Sequence, residues 1–279
     1  MSAQTLSLIL LGGATALYAI AFVAFGLRVA WIPAERRAAR KALGIARAGM
    51  LVGVVMHAAG VVARAVEAGH VPWSTMYEYT ISASLFAVIV YVVLNVRRPI
   101  PWIGAGVSGL ATMALGLALA ELYAEATPLQ PALQNLWITI HVSIAILATG
   151  ILSVGAVIAV LYLLRSGQNN SSRLAELPEP KVLESLAFRL HALGFVAWTF
   201  AVVSGAIWAA DAWGRAWGWD PKEVGSFVVW VVYAAYLHAR TTAGWTGKRA
   251  MVIALVGFVA LILNLTVVNF LLDGLHSYA

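Results

Sequence analysis

The sequence predicts an all-α membrane protein, a polytopic bundle of about eight transmembrane helices that forms one membrane domain over residues 1–279. Hydrophobic residues make up 62% of the chain and charged residues only 11%, whereas a typical soluble domain carries about 25% charged residues. Uncharged apolar runs recur, and several reach the ~20 residues that a helix needs to cross the hydrocarbon layer. These runs lack the alternation of β-barrel strands, so helices are expected to satisfy the backbone in lipid.

Eight apolar segments account for most of the chain. The first lacks a basic start and a cleavage site, so it is interpreted as a span and not as a removable signal peptide. Among the connecting segments, only residues 165–182 resemble a linker, because they are rich in Ser, Asn and Pro. The predicted spans are 4–28, 44–66, 78–96, 102–121, 136–164, 184–210, 222–240 and 250–272.

The placement of basic residues predicts the orientation in the membrane. If eight spans alternate, the segments after spans one, three, five and seven share one side, and by the positive-inside rule that side is the cytoplasm. Both termini and the tryptophan-rich segment 208–224 are then outside, and residues 165–182 form a cytoplasmic linker. The net charge of +6 is thus a topology signal and does not indicate a nucleic-acid partner. The basic residues on the cytoplasmic side are Arg36, Arg37, Arg40, Lys41, Arg97, Arg98, Arg165, Arg173, Lys181, Arg240, Lys248 and Arg249.

The chain contains no cysteine. This excludes disulfides, thiolate metal sites, iron–sulfur ligation and any thiol relay within this chain. We assign no catalytic residue from the sequence.

The segment 208–224, where span six ends and span seven begins, contains four tryptophans within twelve residues: Trp208, Trp213, Trp217 and Trp219. Tryptophans gather at membrane interfaces whatever the function, so simple anchoring is the alternative interpretation for each of them. Trp213 and Trp217 are four residues apart, and a helical segment would place both rings on one face. A flat aromatic shelf at the outer surface would suit a large planar hydrophobic ligand.

The polar end of this segment reads "DPKE". Asp220 is expected to cap the next helix, with Pro221 in its first position and Glu223 completing a capping box. A structural role is the simpler interpretation of the two acids. Arg215 and Lys222 are freer to contact a ligand, and their charges would suit carboxylates or phosphates.

Two histidines share the outer side with the tryptophans. His141 lies near the start of span five, and His276 follows the end of span eight. A lone histidine near a helix end is usually interfacial, but two neutral imidazoles on opposite sides of a flat macrocycle are a common way to hold haem iron. Zinc is the weaker alternative, because it takes a third and fourth protein ligand or an open position.

His238 lies inside span seven, ~25 Å from the outer end of that helix. Ionisable groups in lipid are costly and are functional candidates by default. His191 in span six lies at a comparable depth and His57 in span two lies nearer the outer half; a hydrogen-bonded packing role is the alternative for both. His70 is expected to be solvated in an outer loop.

Two stretches together resemble a known family. "GAIWAADAWGRAWGWDPKEVGSFVVW" (Gly205–Trp230), followed by "YLHAR", and "HVPWSTMYEYTIS" (His70–Ser82) are similar to the CcsA/ResC family of system II cytochrome c maturation. The system I proteins CcmC and CcmF have a similar aromatic segment with a different continuation. This chain departs from the family at Ala216, where an aromatic residue is frequent, and at Val224 and Gly225, where Thr-Trp is frequent. The platform would therefore be smaller than usual.

The resemblance implies a haem-handling subunit of a cytochrome c synthase in the bacterial cytoplasmic membrane. Such a subunit acts with a ResB-type membrane protein, carries haem b to the outer face and presents it to the Cys-x-x-Cys-His cysteines of apocytochrome c. His141 and His276 match the external pair of iron ligands, and His238 matches an intramembrane histidine whose second axial ligand comes from the ResB side. The cofactor-binding set is completed by Trp208, Trp213, Trp217, Trp219, Asp220, Arg215 and Lys222.

Two other functions remain open at the level of the sequence. A b-type cytochrome for transmembrane electron transfer usually has two complete histidine pairs at different depths, and His191 with His238 is a weak second pair. A haem exporter is the other alternative, although transporters often interrupt helices at mid-membrane with Gly or Pro and no proline lies deep inside these spans.

Overall fold

The computed structural model describes residues 1–31, 36–97, 100–167 and 177–275. Within these ranges the regular structure is entirely helical, which confirms the predicted fold class. The helices are α1 (Ala3–Trp31), α2 (Arg36–Ala68), α3 (Met76–Arg97), α4 (Pro101–Ala120), a 3₁₀ turn (Pro131–Leu133), α5 (Leu136–Gly167), α6 (Pro180–Trp213), α7 (Pro221–Thr241), α8 (Lys248–Leu265) and α9 (Val267–Leu271).

Seven helical stretches in the described ranges are long and apolar enough to cross a membrane: α1 to α6, and the stretch Lys248–Leu271 that combines α8 with α9. The multi-pass character is therefore confirmed. The segment predicted as span seven forms α7, a helix of 21 residues, which is not among these seven stretches. His238 and Arg240 in its last turn, together with two tyrosines, lower its mean hydropathy. Of the predicted cytoplasmic residues, Arg98 and Arg173 lie outside the described residues.

The chain divides into two compact units. One comprises residues 1–128 with 167–179, and the other comprises residues 129–166 with 180–279. The prediction of one membrane domain stays a prediction. Every haem-site residue predicted above belongs by its number to the second unit.

In the first unit, small residues bring α1 and α2 close together. A Cβ at Gly53 would lie 2.6 Å from Cε1 of Tyr18, and one at Gly60 would lie 2.8 Å from Cγ of Leu11. Such small residues allow helix backbones to approach in lipid. Fully buried His57 lies beside this contact, with Nδ1 3.3 Å from the Tyr18 hydroxyl and Nε2 2.9 Å from the Ile81 carbonyl oxygen. Both ring nitrogens of His57 therefore have hydrogen-bond partners within the first unit.

A buried ion pair joins α2 to α3 in the same unit. Nε of Arg64 donates to Oε1 of Glu78 at 2.9 Å, and both side chains are only 1% exposed. The other guanidinium nitrogens contact Glu67 and the carbonyl oxygen of Ala124, while Oε2 of Glu78 accepts from the amide and the hydroxyl of Ser74. Nearly all of the polar atoms of the pair are thus bonded, as a buried charge requires.

Candidate functional site

The tryptophan-rich segment leaves the end of α6 as a loop. Gly214 has φ +71, and its amide donates to the carbonyl oxygen of Ala210 at 3.0 Å, so a left-handed glycine ends the helix directly after Trp213. Residues 214–220 are not helical. The expectation that a helical segment places Trp213 and Trp217 on one face is therefore wrong, because Gly214 turns the chain away.

Trp208 lies beneath this loop. It is 1% exposed, and its Nε1 donates to the carbonyl oxygen of Ala132 in the 3₁₀ turn at 2.9 Å. Its ring meets that of Trp213 edge-on, with 4.7 Å between centroids and 66° between planes. Trp208 thus supports Trp213 from inside the second unit and does not present a face of its own.

Trp217, which is half-buried, and Trp219, which is exposed, lie next to each other in this segment. Their centroids are 5.6 Å apart at 84°, and 74% of Trp219 is accessible. Trp219 has φ 61 and is the one non-glycine residue with positive φ in the described ranges. This conformation costs of the order of 1–3 kcal/mol for a bulky residue, so the surrounding loop holds a large indole outward in a strained geometry.

Aromatic rings continue from the loop along α7. Trp217 meets Phe227 edge-on at 6.1 Å, Phe227 stacks on Trp230 at 6.0 Å and 7°, and Trp230 contacts Phe195 of α6 at 5.6 Å. We call these four residues, together with Trp219 beside Trp217, the aromatic row. Its inner three members, Phe227, Trp230 and Phe195, were not predicted from the sequence, although the i, i+3 spacing of Phe227 and Trp230 places both on one face of a helix.

The predicted capping box is present at the start of α7. The side chain of Asp220 accepts from the backbone of the first turn, including the Lys222 amide at 3.0 Å. Oε2 of Glu223 accepts from the amides of Asp220 at 3.1 Å and Gly218 at 2.7 Å. The two acids therefore fix the loop to the helix that follows it.

The two cations, expected to be freer to contact a ligand, are both used within the chain. Arg215 lies 3.6 Å from Oε1 of Glu223 and lies so close to Gly218 that a side chain at Gly218 would overlap the guanidinium. Nζ of Lys222 donates to the carbonyl oxygen of Asn264 at 2.7 Å and to Oδ1 of Asn269 at 2.8 Å. The two asparagines are distant from Lys222 in sequence, so their contacts with it could not be predicted from the residues around Lys222.

His141 is held against α6 in a defined tautomer. Its Nδ1 lies 2.7 Å from the carbonyl oxygen of Ala201. Because a carbonyl oxygen only accepts, Nδ1 carries the proton and Nε2 carries the lone pair. A Cβ at Gly205 would lie 2.7 Å from Cε1 and Nδ1 of the ring, so the glycine makes room for it. Metal-binding histidines are commonly oriented by such a bond from their second nitrogen.

The partner predicted for His141, His276, lies outside the described residues. The residue before it, Leu275, is described. The amide of Leu275 donates to Oδ2 of Asp220 at 2.6 Å. The C-terminal segment is therefore tied to the start of α7, next to the aromatic row.

His238 and His191 have different surroundings. His238 is exposed in the last turn of α7, with Nδ1 3.5 Å from the Thr242 hydroxyl. His191 is fully buried; its Nδ1 donates to the Ala187 carbonyl oxygen, and Nε2 has no hydrogen-bond partner in the described part of the chain. Its ring contacts those of Tyr233 and Tyr236 on α7 at 5.6 and 5.5 Å. At 3.6 residues per turn, these tyrosines lie roughly 140–160° from His238 around the helix. The two histidines therefore face nearly opposite sides of α7.

Comparison with known proteins gives a family match over most of the chain. Residues 73–276 match the family described as "Cytochrome C assembly protein". The cytochrome c biogenesis protein CcsA of Guillardia theta is 35% identical over 237 residues, which are 77% of this chain and 79% of the relative. The protein of the same name from Synechococcus sp. (strain JA-3-3Ab) is 33% identical over 289 residues, covering 83% and 84% of the two chains.

A solved structure shares the fold. The cytochrome c haem lyase CcmF superposes with a TM-score of 0.72 at 19% identity, over 95% of this chain. This chain spans about half of that protein, since 47% of the CcmF chain is covered.

Proposed function

This chain belongs to the cytochrome c assembly protein family, and from that premise we propose that it is the haem-handling subunit of a cytochrome c synthase. It is a multi-pass membrane protein with a role in cytochrome c assembly. In the proposal it carries haem b to the outer face of the bacterial cytoplasmic membrane and presents it to apocytochrome c. It does so together with a ResB-type membrane partner.

The observation that carries the proposal is the state of His141. The bond from Nδ1 to Ala201 fixes the tautomer and leaves the lone pair on Nε2, which is the atom that an iron-binding imidazole uses. The same helix, α6, contacts the His141 ring and leads into the tryptophan-rich segment. Gly205, which touches the ring, and Trp213, at the end of α6, are eight residues apart, or ~12 Å along the helix axis.

The side chains at this site are of the kinds that bind haem. An imidazole lone pair is a standard iron donor, and the rings of Trp217 and Trp219 offer apolar surface to a planar macrocycle. His276 is the proposed second ligand, contributed by the C-terminal segment. In this proposal Trp208 supports the aromatic surface from below, and Arg215 and Glu223 hold the loop.

The chemistry of attachment needs little from this chain beyond positioning. Each thioether forms when the S–H of an apocytochrome cysteine adds across a haem vinyl group, so the addition itself consumes no oxidant. The thiols come from the substrate, in keeping with a chain that has no cysteine. The residues of this chain hold the haem in a fixed position and orientation, which favours reaction with the incoming cysteines.

His238 is proposed as a separate haem ligand within the membrane. It is exposed on α7 and faces away from the side of the helix that contacts His191. The second ligand of an iron bound by His238 is therefore expected to come from the ResB-type partner. The same geometry disfavours a b-type cytochrome, because that function needs His191 and His238 to bind one haem between them.

The test is to purify the chain with and without its ResB-type partner, record the absorption spectrum, and measure covalent haem on a co-expressed apocytochrome c. His141→Gly and His276→Gly should each weaken the haem spectrum and lower assembly, and exogenous imidazole should restore much of both. Trp217→Ala removes aromatic surface without removing a ligand, so imidazole should not repair it. Wild-type assembly or unchanged spectra in both histidine variants would overturn the proposal. If the chain alone moves haem across the membrane and its loss does not affect cytochrome c assembly, a haem exporter is favoured.

A further inference from the structure

We infer that Glu184 and Arg240 are positioning residues that set the direction in which His238 points from α7. Neither was predicted from the sequence to act at a haem site. The inference rests on the proposed function, in which His238 binds haem iron together with a ligand of the ResB-type partner. It concerns how the imidazole is oriented and not whether it binds iron.

The last turn of α7 is joined to α6 by an ion pair. Nη1 of Arg240 donates to Oε1 of Glu184, near the start of α6, at 2.5 Å. The guanidinium carbon also lies 4.7 Å from the centroid of the Phe188 ring, one turn further along α6. The side chains of Arg240 and Glu184 are 17% and 12% exposed. Because the pair is largely shielded from solvent, its charges attract each other more strongly than those of a surface pair.

Glu184 also holds the chain that follows α7. The same oxygen, Oε1, accepts from the amide of Gly247 at 3.1 Å, directly before α8. The link between the two helices is compact, since the Trp245 amide donates back to the carbonyl oxygen of Ala239 at 3.0 Å. One carboxylate oxygen thus ties both the end of α7 and the start of α8 to α6.

The ion pair and His238 lie on opposite sides of α7. Successive residues of an α-helix are turned by about 100°, so Arg240 lies roughly 200° from His238 around the axis. Tyr236 lies only ~40° from Arg240, and its ring contacts that of His191 on α6 at 5.5 Å. The face that carries Tyr236 and Arg240 therefore packs against α6, while His238 is exposed on the other side.

Fixing the rotation of α7 about its axis fixes the position of the imidazole. The side chains of an α-helix reach ~5–6 Å from its axis, so a rotation of only about 10° moves the outer end of a side chain by ~1 Å. The hydrogen bonds within α7 do not resist such a rotation, because they turn with the helix. A bond to a neighbouring helix does resist it, and Arg240 supplies one only two residues after His238.

The experiment asks whether the ion pair acts through His238. Arg240→Met keeps an unbranched apolar stem and removes the charge, Arg240→Lys keeps a cation, and Glu184→Gln removes the charge of the other partner. The control, Glu78→Gln, weakens the buried ion pair of the first unit, which contains none of the proposed haem-site residues. Each variant is made alone and combined with His238→Gly, and is purified in complex with the ResB-type partner. Soret absorbance and covalent haem on apocytochrome c are measured per mole of purified protein, with and without imidazole.

The expected losses depend on whether the iron ligand is attached to α7. Arg240→Met and Glu184→Gln should each lower assembly by about 10–100-fold, as a displacement of ~1 Å can, and imidazole should restore most of each loss. Arg240→Lys should lose less, because it keeps the attraction to the carboxylate. When imidazole replaces the side chain in His238→Gly, the ligand no longer turns with α7, so the addition of Arg240→Met should cause no further loss. Glu78→Gln should lower stability without changing the haem content or responding to imidazole.

Three results would overturn the inference alone. The first is wild-type assembly in both Arg240→Met and Glu184→Gln. The second is an equal loss when Arg240→Met is added to His238→Gly in the presence of imidazole, because the pair would then be only structural. The third is a loss of the same size in Glu78→Gln that imidazole also restores. If His238→Gly itself assembles cytochrome c at wild-type levels, the proposed role of His238 as a haem ligand fails, and the inference fails with it.

Discussion

Replacing Gly205 by alanine tests whether the position of the His141 ring controls haem binding. The added Cβ would lie 2.7 Å from Cε1 and Nδ1 of the ring, whereas carbon atoms in contact prefer ~3.5–4.0 Å. The ring must therefore withdraw from α6 by about 1 Å. That movement stretches or breaks the bond between Nδ1 and the carbonyl oxygen of Ala201, which is 2.7 Å long.

The expected magnitudes differ for stability and for haem binding. Alanine in place of glycine favours the helix by ~1 kcal/mol, while overpacking costs ~1–3 kcal/mol and the lost hydrogen bond about 1 kcal/mol. The free energy of unfolding should therefore fall by about 1–3 kcal/mol, which leaves the protein folded. Assembly should fall by about 100-fold, because an imidazole displaced by ~1 Å no longer meets the iron along its axis.

The assay compares this variant with Gly155→Ala. The Cβ of that control would lie 3.0 Å from Cε1 and Nε2 of His191, so it disturbs a histidine outside the proposed haem site in the same unit. Both proteins are purified in complex, and Soret absorbance, covalent haem on apocytochrome c and thermal stability in detergent are measured. Gly205→Ala should lose assembly and recover it with imidazole, whereas Gly155→Ala should lose only stability. A wild-type spectrum and wild-type assembly for Gly205→Ala, or equal assembly losses in both, would refute the reasoning.

Three further predictions concern other parts of the chain. Glu78→Gln leaves Arg64 with Glu67, at 3.3 Å, as its remaining counter-charge and should cost about 1.5–3 kcal/mol of stability, as the loss of a hydrogen bond between charged groups does, measured by thermal unfolding in detergent; a loss below about 1 kcal/mol would show that the pair is dispensable. His238→Ala should lower haem capture and abolish assembly while His191→Ala leaves both nearly intact, and equal losses in spectra and assembly would point to a pair within the chain. Reporter fusions after Lys41 should report the cytoplasm and those after Trp213 the outside; cytoplasmic activity at Trp213 would reverse the proposed arrangement.

Local features of the site were predictable from the sequence. The capping box formed as expected because Asp220, Pro221 and Glu223 act on amides within the same turn. The helices followed from long apolar runs, since lipid leaves few other ways to satisfy the backbone. α7 is not among the seven apolar stretches, because Lys222 and Glu223 stand in its first turn and His238 and Arg240 in its last.

Contacts between distant residues could not be predicted in this way. The bonds from Lys222 to Asn264 and Asn269 join positions more than forty residues apart, and nothing in the sequence around Lys222 indicates them. The contact between His141 and Gly205 likewise depends on the register between α5 and α6. The break after Trp213 was locally encoded by Gly214, but the spacing of the tryptophans suggested a longer helix. Spacing indicates which residues share a face only where the helix continues.

The ion pair between α2 and α3 constrains how the chain is inserted into the membrane. Arg64 lies in the last turns of α2 and Glu78 in the first turn of α3, and each is 1% exposed. A single charge entering the hydrocarbon costs a few kcal/mol on insertion scales, and pairing lowers that cost. The two helices therefore enter most favourably together, as a hairpin. A substitution at Glu78 should consequently reduce the amount of protein inserted during translation, before any step that involves haem.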